Sequence, residues 1–101
     1  MKSKSLSRAA SHAGSWYSKH KEDLNKQLST FLTASTRKVS EEGKPLLKAL
    51  ISPHAGYRWC GDTAAFAYTN IVPSKYKRVV LLGPSHHKFI PGCGLSMASE
   101  F

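Results

Sequence analysis

The fold class is decided by residues 46–87, which read LLKALISPHAGYRWCGDTAAFAYTNIVPSKYKRVVLLGPSHH. Two apolar runs, LLKALIS at 46–52 and YKRVVLL at 76–82, enclose a segment that favours a helix, CGDTAAFAYTNIV, with Asp62 or Thr63 as its cap. Apolar runs that do not alternate with polar residues are typical of parallel strands buried on both faces. The stretch therefore predicts a strand–helix–strand unit with a right-handed crossover, within an α/β fold built on a mainly parallel sheet.

A second helix is predicted upstream, over residues 19–34. Its apolar residues repeat with the 3.6-residue period of one helix face, at Leu24, Leu28, Phe31 and Leu32. Ser18 is a suitable N-cap. The polar residues 35–45, which end in a glycine and a proline, predict a surface loop between this helix and the strand–helix–strand unit.

Length and composition indicate one small globular domain. The chain has 101 residues, of which 41% are hydrophobic and 21% charged. It can bury a hydrophobic core if its own helices and strands suffice to cover that core. We expect residues 1–8 to form a disordered basic N-terminus and residues 9–101 to form the folded part.

The formal net charge of +9 suits an anionic partner. The 15 lysines and arginines are spread along the whole chain without a run of five, which argues against a dedicated nucleic-acid surface. A small basic module that binds phosphate-bearing partners remains one alternative.

The low cysteine content and the lack of a recognisable secretory signal indicate the cellular location. Cys60 and Cys93 are the two cysteines, and no secretory signal precedes them, so we expect free thiols in a reducing compartment, the cytoplasm. No apolar run approaches the length of a membrane span.

Histidines follow both predicted strands. His54 leaves the end of the first strand, and His86 and His87 leave the end of the second. Because parallel strands have their carboxyl ends at one edge of a sheet, where ligands bind in open α/β folds, His54 and His86 can converge on a metal ion. His87 would then line the pocket. The alternative for each histidine taken alone is a hydrogen-bonded loop residue.

Two imidazoles need a third protein ligand to complete a metal site. Cys60 and Cys93 lack the close spacing of a structural zinc site, and capping of a helix accounts for Asp62. Ser85 beside His86 does not support a hydrolase, because no acid is placed to orient the base.

Three stretches, ASHAGSWY at 10–17, SPHAGYRWCG at 52–61 and LLGPSHH at 81–87, together resemble the N-terminal portion of the Memo (mediator of cell motility) family. The resemblance runs from about residue 8 to about residue 96. It implies an α/β fold related to class III extradiol dioxygenases, whose non-haem iron is held by two histidines and a carboxylate, which a cysteine replaces in the Memo family. Residues 9–101 would then be the N-terminal part of a Memo-like domain, a fragment or a short form that lacks a counterpart of that cysteine.

The resemblance implies a cytosolic or nuclear adaptor in receptor-driven cell motility that is not an enzyme. His54 and His86 match the two family histidines, and copper or iron is the implied metal. His12 and Trp16 would lie near a pocket that takes phosphotyrosine-containing peptides, so the pocket residues are predicted to be His12, Trp16 and His87. The enzymatic alternative is a metal-dependent oxidoreductase of the extradiol dioxygenase type.

Overall fold

The computed structural model describes residues 6–35 and 45–101. Two α-helices organise it, α1 over Lys21–Ser35 and α2 over Tyr57–Tyr68, and a short 3-10 helix follows over Pro73–Lys75. The chain divides into two units. One holds both helices and runs over His12–Val80, and the other combines the described residues before His12 with Leu81–Phe101. No helix within the described ranges is long and apolar enough to cross a membrane.

Helix α1 forms where the sequence predicted a helix. Glu22 and Asp23 lie in its first turn, where the helix dipole favours negative charge. The Ser18 hydroxyl accepts a hydrogen bond from the amide of His20, at 3.2 Å, so Ser18 orders the turn before α1 instead of capping its first residues directly. The predicted surface loop over 35–45 falls almost entirely outside the described residues, as do residues 1–5 of the predicted N-terminus.

Helix α2 begins earlier than the sequence predicted. Gly56 is its N-cap residue, with φ −60° and ψ 148° and no side-chain cap, so Asp62 and Thr63 do not cap this helix and instead lie exposed within it. The motif residues Tyr57 and Arg58 are therefore helical. Arg58 therefore lies in the first turn of α2.

The core of the helical unit is the contact between α1 and α2. One side of α2 is buried, and its residues are small: Cys60, Gly61, Ala64 and Ala65. Gly61 lies against the ring of Phe31 on α1, because a Cβ built on Gly61 would come within 2.7 Å of Phe31 Cζ. Small residues thus let the two helices approach closely. Val72, 3% exposed, is buried after the end of α2.

The predicted α/β fold, a strand–helix–strand unit of a mainly parallel sheet, is wrong for this structure. Neither 46–52 nor 76–82 forms a strand, and over the described residues pairing is confined to isolated bridges, Ser7 with Glu100 and Ala13 with Tyr17. A strand is stabilised by the ladder it shares with a neighbour. Residues 79–82 have no such ladder, and their side chains are 82–85% exposed.

The apolar residues of 76–82 therefore indicate that this segment is more stable when it is buried, but they do not show that it forms a strand. A hydrophobic run shows that a segment is stabilised when it is covered, but it does not show that a covering element is present. In this chain residues 46–52 are held by a different contact: the amide of Leu47 donates a hydrogen bond of 2.8 Å to the hydroxyl of Tyr76.

The other unit is held by contacts between its two ends. The amide of Arg8 donates to the carbonyl of Glu100 at 2.9 Å, and the amide of Ser99 donates to the carbonyl of Leu6 at 2.9 Å. The Arg8 guanidinium lies 5.9 Å from the ring centroid of Phe101.

Candidate functional site

A tight turn over residues 12–17 forms one side of the site. The carbonyl of His12 accepts hydrogen bonds from the amides of Ser15, at 3.1 Å, and Trp16, at 2.9 Å. The amide of Gly14 donates to the carbonyl of Tyr17 at 2.7 Å. Gly14 has φ +88°, a conformation that side chains rarely adopt, so a glycine is needed for the chain to turn here.

This turn is attached to the start of α2. The amide of Tyr57 donates a hydrogen bond of 2.9 Å to the carbonyl of Trp16. Gly56 is buried, and a Cβ built on it would lie 3.1 Å from both the Cα and the carbonyl oxygen of Trp16. The rings of Tyr17 and Tyr57 lie 6.1 Å apart between centroids. The first two sequence motifs, about 40 residues apart, therefore meet in space because Gly56 allows close approach.

Two of the predicted pocket residues lie together on this turn. The rings of His12 and Trp16 are 4.7 Å apart between centroids, at an interplanar angle of 66°, in an edge-to-face arrangement. Both side chains are exposed, and Trp16 is 43% exposed. The pair forms an accessible aromatic surface.

A cleft of about 390 Å³ opens beside this turn. Its wall combines the turn, the start of α1 and the first turn of α2, with the lining residues Gly14, Ser15, Trp16, Tyr17, Ser18, Asp23, Gln27 and Arg58. The volume lies within the range of roughly 300–1,000 Å³ that is usual for ligand sites. Serine, glutamine, aspartate and arginine residues thus all border the same space.

Arg58 brings a cation to the cleft. Its guanidinium lies 5.2 Å from the ring centroid of Trp59, a cation–π distance, and its side chain is exposed. Asp23, in the first turn of α1, lines the same cleft with the opposite charge. The cleft therefore presents both signs of charge next to an aromatic ring.

Arg58, Asp23 and Gln27 were not among the residues predicted from the sequence. Arg58 carried a signal, because it stands inside the motif SPHAGYRWCG, directly after Gly56 and Tyr57. Asp23 and Gln27 carried none, since a polar residue on an exposed helix face is ordinary. The packing of α1 beside the 12–17 turn brings them to the cleft.

The remaining predicted site residues lie in exposed loops. His54 precedes α2, next to Ala55, whose carbonyl accepts a hydrogen bond of 3.1 Å from the thiol of Cys60. His86 and His87 belong to the unit that contains Leu81–Phe101, in a turn where the hydroxyl of Ser85 donates to the carbonyl of Lys88 at 2.6 Å. His87 does not line the cleft beside Trp16.

The described part of the chain does not complete a metal site. Within 6–35 and 45–101 there is no group of three histidine, cysteine, aspartate or glutamate residues placed to hold a metal ion. Cys60 is buried and Cys93 is exposed, and both are free thiols. A resident copper or iron ion needs three protein ligands, so the residues described here do not fit one by themselves. The assignment of His54 and His86 as ligands stays a prediction.

Comparison with known proteins agrees with the three sequence motifs. The family model described as "Memo-like protein" matches residues 8–101. The chain is 44% identical over 94 residues to "Protein memo-1 homolog" of Caenorhabditis elegans, which covers 93% of this chain and 25% of the worm protein. It is 44% identical over 96 residues to human "Protein MEMO1", covering 95% of this chain and 31% of the human protein.

A zebrafish protein, "Protein MEMO1" of Danio rerio, is 42% identical over 101 residues, which is all of this chain and 32% of the fish protein. No solved structure matches the chain. The chain therefore spans between a quarter and a third of the length of these curated relatives. On the match over residues 8–101, the chain belongs to the Memo family.

Proposed function

We propose that this chain carries the phosphotyrosine-binding part of a Memo-like signalling adaptor. The adaptor acts in the cytosol or nucleus, in receptor-driven cell motility, by binding a partner protein and not by catalysis. Membership of the Memo family supports this role. The observation that carries the proposal is the cleft that Arg58 and Trp16 both line.

The two groups suit the two parts of a phosphotyrosine side chain. A guanidinium matches a phosphate group in charge and in the geometry of its paired donors. An exposed aromatic surface suits the phenyl ring, and Trp16 provides one in the cleft; His12 does not line the cleft, but its ring packs against the ring of Trp16 at 4.7 Å between centroids. The hydroxyl of Ser18 in the same cleft accepts a hydrogen bond from the amide of His20, so it keeps its own proton to donate to a further phosphate oxygen.

The net charge of +9 supports the same kind of ligand. A positive protein attracts an anionic peptide over a distance set by the salt concentration, and this raises the association rate more than the affinity. Asp23 opposes the phosphate locally, so it favours a peptide that carries a basic residue beside its phosphotyrosine.

Phenyl phosphate is a direct probe of this cleft, and binding is measured by isothermal titration calorimetry. We expect phenyl phosphate to bind more tightly than inorganic phosphate or phenol, because it uses both halves of the cleft. Arg58→Gln should weaken its binding about ten- to hundredfold, the loss expected for a hydrogen bond to a charged group.

Arg78→Gln is the matched control, because Arg78 is also exposed but does not line the cleft. It removes the same charge from the chain, so it shows the effect of net charge alone. The affinity of this variant for phenyl phosphate should lie within about twofold of that of the native chain. Equal weakening in the two variants would show that overall charge, and not the cleft, binds the phosphate.

We further propose that His54 and His86 supply two imidazole ligands to a copper or iron site whose remaining ligand lies outside the described residues. The support is the position of each histidine in a motif that resembles the family motif. The double variant His54→Ala, His86→Ala should lose specific binding of Cu²⁺ or Fe²⁺, measured as metal content per chain after dialysis. His20→Ala, an exposed histidine outside the motifs, is the control. Equal metal content in both variants would contradict the assignment.

A further inference from the structure

The wall of the cleft that α1 provides differs in chemistry from the wall that carries Arg58. Asp23 and Gln27 line the cleft from α1, whereas Arg58 lines it from the first turn of α2. Asp23 and Gln27 are four residues apart, so their side chains are neighbours on one face of α1. Both carry acceptor oxygens, in a carboxylate and in a side-chain amide. The α1 wall therefore suits a hydrogen-bond donor, which a phosphate dianion does not supply.

The two opposite charges of the cleft do not neutralise each other. Asp23 and Arg58 are both exposed, and over the described residues Asp23 forms no ion pair with Arg58 or with another cation. The guanidinium of Arg58 lies instead beside the ring of Trp59. A ligand that carries a negative and a positive group gains from both charges, whereas a purely anionic ligand is repelled by Asp23.

We propose that Asp23 and Gln27 form a second subsite of the cleft, which binds an arginine side chain next to the phosphotyrosine of the partner protein. The inference rests on the proposed function, because the phosphotyrosine brings the arginine to the α1 wall. An arginine directly before or after the phosphotyrosine starts only about 3.8 Å from it at the Cα atom and carries a long side chain. One short peptide segment therefore supplies both charged groups to one cleft.

Arginine fits this subsite better than lysine. A guanidinium holds five N–H donors in a rigid plane, so it can donate to the Asp23 carboxylate and to the Gln27 carbonyl at the same time. A lysine ammonium is a compact, strongly hydrated charge without this planar array of donors. Asp23 thus selects a positive side chain, and Gln27 selects arginine among the positive side chains.

The alternative role for Asp23 is stabilisation of its own helix. Asp23 and Glu22 both lie in the first turn of α1, where a carboxylate favours the helix dipole. Glu22 is exposed as well, but it does not line the cleft. Glu22→Gln is therefore the matched control for Asp23→Asn, since it removes the same charge from the same turn of the helix.

The test uses the full chain and phosphotyrosine peptides that differ in one residue. Arginine stands directly before or directly after the phosphotyrosine, and each peptide is compared with one that carries citrulline, which has the shape of arginine without its charge. Binding is measured by isothermal titration calorimetry at low salt. We expect the arginine peptide of one order to bind about three- to tenfold more tightly than its citrulline counterpart, the size expected for an exposed charge pair that also forms hydrogen bonds.

Three variants assign this preference to the α1 wall. Asp23→Asn should reduce the preference for arginine over citrulline to less than twofold, whereas Glu22→Gln should retain it. Asp23→Asn should also bind phenyl phosphate about twofold more tightly than the native chain does, because one repelling charge is gone. Opposite effects on the two ligands do not arise from a loss of folding. Gln27→Ala should abolish the preference for arginine over lysine.

The outcomes separate this subsite from the phosphate cleft. If Arg58→Gln weakens the binding of phenyl phosphate but the native chain binds arginine and citrulline peptides equally, the subsite is overturned and the phosphate cleft remains. If Arg58→Gln leaves the binding of phenyl phosphate unchanged, both proposals fail. Equal loss of the arginine preference in Asp23→Asn and Glu22→Gln would also overturn the subsite, as would an arginine preference over lysine that persists in Gln27→Ala.

Discussion

Gly61→Ala tests whether the packing of α1 on α2 depends on the absence of a side chain at position 61. A Cβ at this position would lie 2.7 Å from Phe31 Cζ and 2.9 Å from Phe31 Cδ2, both within the distance at which something must move. The atoms belong to one aromatic ring, which cannot yield by a small torsion as a flexible side chain would. Either the ring rotates away or the helices separate.

Two opposing effects set the size of the change. Alanine improves the helix propensity of α2 by about 0.8–1.0 kcal/mol relative to glycine. Overpacking a close contact costs about 1–3 kcal/mol. Because the clash involves several ring atoms, the packing cost should exceed the propensity gain, and we expect a net destabilisation of about 1 kcal/mol. In a chain of this size, that lowers the melting temperature by roughly 4–8 °C.

The assay is thermal and urea unfolding followed by the helical signal in circular dichroism. Thr63→Ala is the matched control, because position 63 is exposed on the same helix and reports propensity alone, with a gain of up to about 0.7 kcal/mol. The reasoning would be refuted if Gly61→Ala raised stability by as much as Thr63→Ala does.

A double variant locates the effect at the ring. Phe31→Leu removes the ring that the new methyl group would meet, so Gly61→Ala should cost less in that background than in the native chain. We expect a coupling free energy of at least about 0.5 kcal/mol in the double-mutant cycle. Additive costs would mean that residues 31 and 61 do not contact each other in solution.

Two further predictions concern the contacts that join distant segments. Gly56→Ala places a Cβ 3.1 Å from backbone atoms of Trp16, which should lengthen the hydrogen bond from the Tyr57 amide to the Trp16 carbonyl. The Tyr57 amide hydrogen should then exchange with solvent at least ten times faster. Unchanged exchange would show that the turn adapts without cost. Tyr76→Phe removes the hydroxyl that accepts the 2.8 Å hydrogen bond from the Leu47 amide. It should lower the free energy of unfolding, measured in urea, by about 0.5–1.5 kcal/mol. A stability equal to that of the native chain would show that water replaces the hydroxyl.

Both helices could be predicted from the sequence, but with unequal accuracy. For α1, residues 19–34 were predicted and Lys21–Ser35 are observed. The two ranges agree closely because the apolar residues repeat with the helical period along most of the helix and so mark where it begins and ends. For α2, the start was placed too late, since Tyr57 and Arg58 were read as loop residues before an aspartate or threonine cap. Gly56 begins the helix because its backbone packs against Trp16, and no local pattern shows such a contact.

The candidate site likewise contains residues that the sequence identified and residues that only the structure revealed. The sequence motifs identified His12 and Trp16, which the structure places in ring contact. Arg58, Asp23 and Gln27 were missed because their role at the cleft arises from where α1 and α2 lie beside the 12–17 turn.

The sequence by itself therefore determined the features whose causes are local: the presence and approximate positions of two helices, and the motifs that show Memo membership. Helical hydrogen bonds join residues four apart, so a periodic pattern contains the information needed to predict them. Only the tertiary structure decided which distant residues meet, namely Gly56 with Trp16 and Gly61 with Phe31. It also decided that the apolar run 79–82 stays uncovered within the described chain, because a strand requires a neighbour and hydrophobicity alone does not supply one.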